Sequence, residues 1–452
     1  MIRRLFIFML QLTGSACLMM AGAVPAGATA AGQSANPVDT LVADAVAHNP
    51  GLQAQRQTIL AARQAMVRAG ALPDPTVEVE WMNIRLPVPD PVDALTTGVG
   101  VGISQMLPAG DKRRAEQEAA RAEAAATHAR LEEMEATLAA DVRESAYRLA
   151  TMRRLLELQD RLDEALAGAA QAALAAYSVG RGSMADVLAS QAAVTRVSIT
   201  REELRRQEAV ILAQLDGLTG RPAHRETVDA VRLGDPSELP PLDGLLARLD
   251  REAPAVRRAR SEAGIADAGI VRARADFKSD TMVGVGARFR DMSMGGDSFM
   301  AVRLGFTLPF LHRNDRYRPA LEEALRLQTG AQLEVRQALV DARYRLTAAW
   351  QSAASAQRTV SLYRDGLLLQ GRLAYESALA AYSAQQVDFD FLVQALTAYF
   401  EWQGMEIMAL GGYQEAMARA QAVLPGLRTN SPAEPAPLPA PAGSAIPLEV
   451  SP

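Results

Sequence analysis

A unit of about two hundred residues occurs twice in this chain, and any fold it adopts must accommodate that duplication. Ala47-His48-Asn49-Pro50-Gly51-Leu52 returns as Glu252-Ala253-Pro254-Ala255-Val256, and the alternating run Thr76–Trp81 returns as Thr281–Gly286. Met106-Leu107-Pro108 returns as Thr307-Leu308-Pro309, each time ahead of a long charged stretch, and Ala175-Ala176-Tyr177-Ser178 returns as Ala380-Ala381-Tyr382-Ser383. Each half reads as a helix, two strands, a very long helix, a turn and a return helix. The halves are placed at residues 31–245 and 246–428.

The helical period dominates. Asp111 to Tyr177 contains no proline and one glycine, Gly168, while Leu131, Met134, Leu138, Val142, Ala146, Leu149, Met152 and Leu156 step by three or four. Such a sustained apolar stripe predicts coiled-coil packing over residues 111–177, a rod of about 100 Å. Its counterpart spans 313–382, with Pro319 tolerated near the start. Return helices of about 35 residues run from Ser183 and Asp388, both suited to capping, and Asn49 caps a shorter helix that opens with Pro50. A return helix and the next front helix together match one rod in length. The chain therefore descends in one stroke and climbs back in two, through a mixed segment from Arg221 to Asp250.

Four stretches alternate with period two, at about 76–85, 98–107, 281–290 and 299–308. Val77, Val79 and Trp81 share one face of the first; Val99, Val101 and Ile103 of the second. Val283, Val285, Ala287 and Phe289 do so in the third, and Met300, Val302, Leu304 and Phe306 in the fourth. The opposite faces carry glycine or charge. A sheet covering a soluble core gives such a pattern, but ten residues is also the length of a tilted transmembrane strand. The start of the chain favours the second reading. Met1-Ile2-Arg3-Arg4, the apolar run Leu5–Met20 and Ala28-Thr29-Ala30 form an export signal over residues 1–30. Cys17, the only cysteine, leaves lipidation open and excludes an intrachain disulfide. Residues 429–452, rich in Pro and Ala, are expected to form a disordered tail. Four strands cannot close a barrel and open edges are not tolerated in lipid, so copies must pool strands; three copies give twelve.

Composition narrows function by exclusion. A net charge of -5 with interspersed signs leaves no basic stripe for nucleic acid. The four histidines are scattered, and neither a phosphate loop nor a nucleophile elbow is present, so no catalytic residue, cofactor site or metal site is assigned and the chain is read as no enzyme. Met292 and Met294 are soft donors by type, but no third ligand accompanies them and they are read as loop residues.

Taken in order and twice over, these features resemble the TolC-like outer-membrane efflux proteins across about residues 37–425. The match rests on Asn49-Pro50, Leu72-Pro73-Asp74-Pro75, Ser104-Gln105-Met106-Leu107-Pro108, Tyr177–Ser183, Leu215-Asp216-Gly217-Leu218-Thr219-Gly220 and Thr307-Leu308-Pro309-Phe310. Asp74-Pro75, Trp81-Met82-Asn83 and Ser104–Pro108 are most similar to the heavy-metal (CusC/CzcC-like) branch. The resemblance implies a mainly α protein in which a long antiparallel α-helical coiled-coil barrel continues into a transmembrane β-barrel. It also implies a homotrimer in outer-membrane lipid with a large periplasmic portion, docked to a periplasmic adaptor (membrane fusion) protein and an inner-membrane RND-type pump. The cargo would be heavy-metal cations; drugs or secreted proteins are the alternative cargo, and a periplasmic coiled-coil scaffold is the alternative of a different class.

On that reading Glu78, Glu80, Arg288, Arg290 and Arg303 line the barrel lumen, or pair as Glu–Arg rungs, or both. Gly180, Arg181, Ser183, Gln385 and Gln386 face the adaptor at the helix-turn tips. Asp388 and Asp390 form acidic rings at a periplasmic gate.

Overall fold

The computed structural model describes residues 36–82, 98–180, 182–222, 225–290, 298–384 and 386–427. The first train of elements is α1 (Pro37–His48), α2 (Pro50–Ala69), β1 (Thr76–Met82), β2 (Gly98–Leu107), α3 (Gly110–Ser178) and α4 (Met184–Thr219). A short α5 (Arg225–Asp229) follows. The second train is α6 (Leu242–Glu252), α7 (Pro254–Ala275), β3 (Thr281–Arg290), β4 (Phe299–Phe306), α8 (Arg318–Leu362), α9 (Leu368–Ser383) and α10 (Phe389–Val423). The expected export signal and the Pro/Ala-rich tail lie outside the described residues, as do Met292, Met294 and both strand-connecting loops.

Local chemistry sets the breaks. Asn49 and Ala253 each precede a proline and are pushed to extended backbone, ψ 122° and 120°, which ends α1 and α6 and starts α2 and α7 one residue later. Asn49 also caps α2, its Oδ1 accepting from the Leu52 amide at 3.1 Å. α4 stops at Gly220, which adopts φ +72°; a Cβ there would lie 2.7 Å from Pro50 Cδ.

All strand pairs are antiparallel in the order β1-β2-β3-β4. The register places Glu78 opposite Gly102, Gly102 opposite Gly286 and Gly286 opposite Ala301. The helices repeat that lateral order: α2 packs on α3, α3 on α7 and α7 on α8. Further along, α4 flanks α3 on one side and α10 flanks it on the other, with α8 and α9 beyond. Each strand thus continues into its own helical rod, four strands over four rods.

The core is correspondingly elongated. Leu138, Val142, Leu149, Leu158, Leu162 and Leu166 of α3 pack with Leu396, Phe400, Ile407 and Leu410 of α10 and with Ile211 and Leu215 of α4. A second cluster joins Leu346, Ala349 and Ala353 of α8 to Tyr413, Met417 and Ala420 of α10 and to Leu245 and Leu249 of α6. Among the described residues no helix is long and apolar enough to cross a membrane.

Three details differ from the sequence expectations. The mixed segment does not last to Asp250: α6 starts at Leu242 because Leu245 and Leu249 bury one face, so a junction at residues 245/246 falls inside a helix. The second rod is not one continuous α-helix, since Arg313–Tyr317 and Tyr363–Leu367 form π-turns; a 3-10 turn at Pro309–His312 precedes it. Asp388 occupies the N-cap of α10, at φ -76° and ψ 157°, yet its carboxylate makes no capping bond. The Phe391 amide donates to the Asp388 main-chain oxygen instead, at 3.2 Å.

Candidate functional site

The sheet has two chemically opposite faces. On one, Val79, Val101, Val285, Val302 and Leu304 stand exposed, Leu304 at 65%. On the other, Gly100, Gly102, Gly284 and Gly286 form a bare floor, buried by the charged side chains that cross it. Arg303 donates to the Glu78 carboxylate and, through Nη2, to Glu80 Oε2 at 3.4 Å. Arg288 Nη2 lies 3.8 Å from Glu80 Oε2, and Ser104 Oγ donates to Glu78 Oε1 at 3.2 Å. The arginine side chains lie directly over this floor: a Cβ at Gly100 would come into ordinary contact with Arg288 Cγ, at 3.6 Å, and one at Gly102 with Arg303 Nη2, at 3.8 Å.

This network fixes the direction of curvature. β1 and β4 are three inter-strand spacings apart, about 14 Å along the sheet. An ion pair between them requires the sheet to curl with its charged face concave. Glu78, Glu80, Arg288 and Arg303 therefore share the concave face and pair across it, while the apolar residues cover the convex face. Arg290 belongs to β3, but its side chain lies outside the described residues.

At the far end of α3, 69 residues or about 100 Å from the sheet, two turns come together. Gly180 takes φ +71° to leave α3. Ser183 then forms a full capping box: its hydroxyl accepts from the Asp186 amide and the Asp186 carboxylate accepts from the Ser183 amide, both at 3.1 Å. In the second turn the Gln386 amide closes on the Ala381 carbonyl at 2.9 Å. Phe389 buries itself against Tyr382, ring centroids 5.6 Å apart, and both join Ala169, Ala173 and Val187 of the first hairpin. Burial, and secondarily the Asp186 charge, raises the Tyr382 phenol above its ordinary range.

Gly180, Ser183, Gln386, Asp388 and Asp390 are thereby brought to one end, where the two aspartates and Gln386 are exposed. Asp390 accepts from Gln394 Nε2 at 2.6 Å, whereas the exposed Asp388 carboxylate is not engaged in capping its helix. Arg181 and Gln385 lie outside the described residues.

Sequence reasoning missed a charged clasp at the second π-turn. Arg364 Nε donates to the buried Glu406 of α10 at 2.6 Å, and its Nη2 lies 2.8 Å from Asp235 Oδ1 in the connecting segment. Burial alone would lower the Arg364 pKa, but the bonds to Glu406 and Asp235 outweigh it and raise the value. The available signal was Glu406 itself, an acid inside the apolar run Met405–Met408. That segment is held further by Trp350 Nε1 donating to the Pro240 carbonyl and by Gln414 Nε2 donating to that of Gly234, at 2.9 and 3.1 Å.

Residues 41–221 match the model of the family described as outer membrane efflux protein. No curated protein matches the chain. Among solved structures, the open-state MtrE outer membrane channel of Neisseria gonorrhoeae is similar at 18% identity and a TM-score of 0.71, over 86% of this chain and 89% of that one. CusC is similar at 16% identity and 0.70, over 86% and 92%. The CmeC outer membrane channel of Campylobacter jejuni gives 13% and 0.71, over 86% and 85%. The resemblance read from the sequence is thus present in the residue pattern of the first repeat and in the fold of nearly the whole described chain.

Proposed function

We infer that this chain, with the efflux-protein pattern in its first repeat and the fold of outer-membrane channels, is the outer-membrane conduit of a tripartite export system. The observation that carries this reading is the two-faced sheet. A convex face of exposed Val, Leu and Phe suits lipid, and a concave face of glycine and paired charge suits a water-filled lumen.

Assembly follows from the edges. β1 and β4 end the sheet with unpaired backbone, which hydrocarbon does not tolerate. The helical edges beneath them are apolar as well. On one side Leu60 and Val67 of α2 and Met184, Leu188, Ile199 and Val210 of α4 are exposed; on the other, Leu333, Val340 and Tyr344 of α8 and Leu369 and Leu373 of α9. Two unlike edges make a head-to-tail contact that closes as a ring. Three copies give a twelve-stranded barrel in the outer membrane above twelve helical rods in the periplasm.

The tips face the periplasm. Gly180, Arg181, Ser183, Gln385 and Gln386 form the surface for an adaptor protein that links the conduit to an inner-membrane RND-type pump, and Asp388 and Asp390 ring the closable entrance. The cargo is proposed as heavy-metal cations, on the likeness of Asp74-Pro75, Trp81-Met82-Asn83 and Ser104–Pro108 to the heavy-metal branch.

Planar-bilayer recording of detergent-extracted protein tests the channel. Trimers that conduct ions are expected; a monodisperse monomer stable without detergent would overturn the reading in favour of a periplasmic scaffold. Deleting the gene tests the cargo: sensitivity to copper, silver, zinc, cobalt or cadmium supports metal, and sensitivity confined to dyes and antibiotics reassigns the cargo to drugs.

A further inference from the structure

The Arg303–Glu78 pair joins the two strands at the edges of the sheet. β4 carries the arginine, β1 carries the glutamate, and β2 and β3 lie between them. Both side chains reach across the glycines of β2 and β3 to meet, because neither has a cross-strand neighbour of opposite charge: Glu78 faces Gly102 and Arg303 faces Gly284. In a closed ring the same two strands are adjacent, β4 of one copy beside β1 of the next. The separation then falls from three strand spacings, about 14 Å, to one, about 4.8 Å.

We propose that Arg303 and Glu78 are exchangeable partners: they pair within the free chain and pair between copies across the β4–β1 seam of the assembled barrel. This rests on the barrel reading above and adds the residues that close its seam. Three features of the structure support it. Ser104, buried on β2, donates to Glu78 Oε1 and holds the carboxylate in place with its other oxygen presented to an incoming guanidinium. Arg303 is half-buried over a glycine floor, so its side chain swings without displacing a neighbour. Glu80 has Arg288 of its own chain as a second ion-pair neighbour, at 3.8 Å, so the exchange does not leave Glu80 without a cation beside it.

The seam gains what sheet edges otherwise lack, a register mark. Arg303 of one copy opposite or diagonal to Glu78 of the next favours one pairing of β4 with β1, since opposite charges at such positions attract and like charges repel. Before assembly the same pair keeps the sheet curled toward the shape it takes in the ring.

The test uses full-length chains in three combinations, with trimers counted on native gels after detergent extraction. R303E alone and E78R alone each place like charges at every seam and are expected to lower trimer yield about fivefold. The double variant R303E/E78R in one chain restores opposite charge and trimer yield. The deciding arm co-expresses R303E and E78R chains carrying different tags. A trimer containing both kinds of chain has two seams that join opposite charges and one that joins like charges, whereas a trimer of either kind alone has none of the favourable seams. Pairing between copies therefore predicts partial recovery of trimers, with those containing both tags in excess over random mixing. Absence of recovery in that arm, with recovery in the double variant, would show that the pair stays inside one chain and overturn the proposal. Failure of the double variant, or full yield from either single variant, would overturn it equally. Wild-type chains that form no trimer would instead remove the barrel reading on which it rests.

Discussion

Asn49 at the start of α2 donates its side-chain amide to the Leu218 carbonyl at the end of α4, at 2.9 Å, while the oxygen of the same amide caps Leu52. One side chain therefore closes an orphan donor of one helix and an orphan acceptor of another. It marks the point where the ascending path changes from α4 to α2. Asn49→Ala should cost about 2 kcal/mol, a cap plus a hydrogen bond, and Asn49→Asp about half, because it keeps the acceptor only. Gly220→Ala should cost more than either, since a Cβ there meets Pro50 Cδ at 2.7 Å and the backbone sits at positive φ. Thermal unfolding of purified protein in detergent ranks the three.

Substitutions on the strands should divide by face. Leu304→Arg puts charge into lipid near mid-strand at about 2–4 kcal/mol, Val101→Asp does so at a smaller cost, and both should deplete the protein from outer-membrane fractions. Gly100→Ser should assemble normally, because its Cβ would find ordinary contact distances of 3.6–3.7 Å. Gly286→Ser should assemble poorly although it shares that face, since its Cβ would lie 3.1 Å from the Val101 carbonyl. Tolerance of Leu304→Arg together with loss at Gly100→Ser would mean the faces are inverted.

At the tip, the Asp388 carboxylate spends no hydrogen bond on capping its helix, so Asp388→Asn removes charge without removing a cap. Combined with Asp390→Asn it should lower cation preference and weaken block by multivalent cations in single-channel recordings, most clearly at low salt. Unchanged selectivity in the double variant would detach these residues from the gate and leave the conduit intact.

Arg364→Ala strands Glu406, whose side chain is only 6% exposed, and should cost about 3 kcal/mol, the low end for a broken buried pair because Arg364 itself keeps partial contact with water. Glu406→Gln should be milder, and combining it with Arg364→Ala should cost less than the sum of the two. Additive losses in unfolding experiments would show that the pair is not coupled.

The duplication, the rods and the strand faces were legible in the sequence because each depends on a period, and periods survive any packing arrangement. The position of Glu78 and Glu80 on a charged face followed from alternation alone. Glu–Arg pairing across the sheet was also an expectation from the sequence, but which arginine meets which glutamate was not legible, because Arg303 lies 225 positions from Glu78 and reaches it only when the sheet curls. The Arg364 clasp was hidden for a similar reason: Asp235, Arg364 and Glu406 come from three separate segments. The failed expectation at Asp388 has a different origin. Its residue type and place at the helix start favour a cap, but the Phe391 amide donates to the Asp388 main-chain oxygen and leaves the exposed carboxylate out of the cap.

The π-turns of the second rod take up part of a discrepancy in residue count. Pro108 and Tyr177 are 69 positions apart, and their counterparts Pro309 and Tyr382 are 73 apart. In uniform α-helix the four surplus residues would carry the second tip about 6 Å beyond the first. Tyr382 and Phe389 would then overshoot Ala173 and Val187 instead of packing on them. Each π-turn absorbs roughly one residue without adding a full α rise, so the two together take up about two of the four. A rod lengthened by insertion can thus stay closer to level with its twin, and the flush end that three copies would present to a partner depends on where those extra residues are stored.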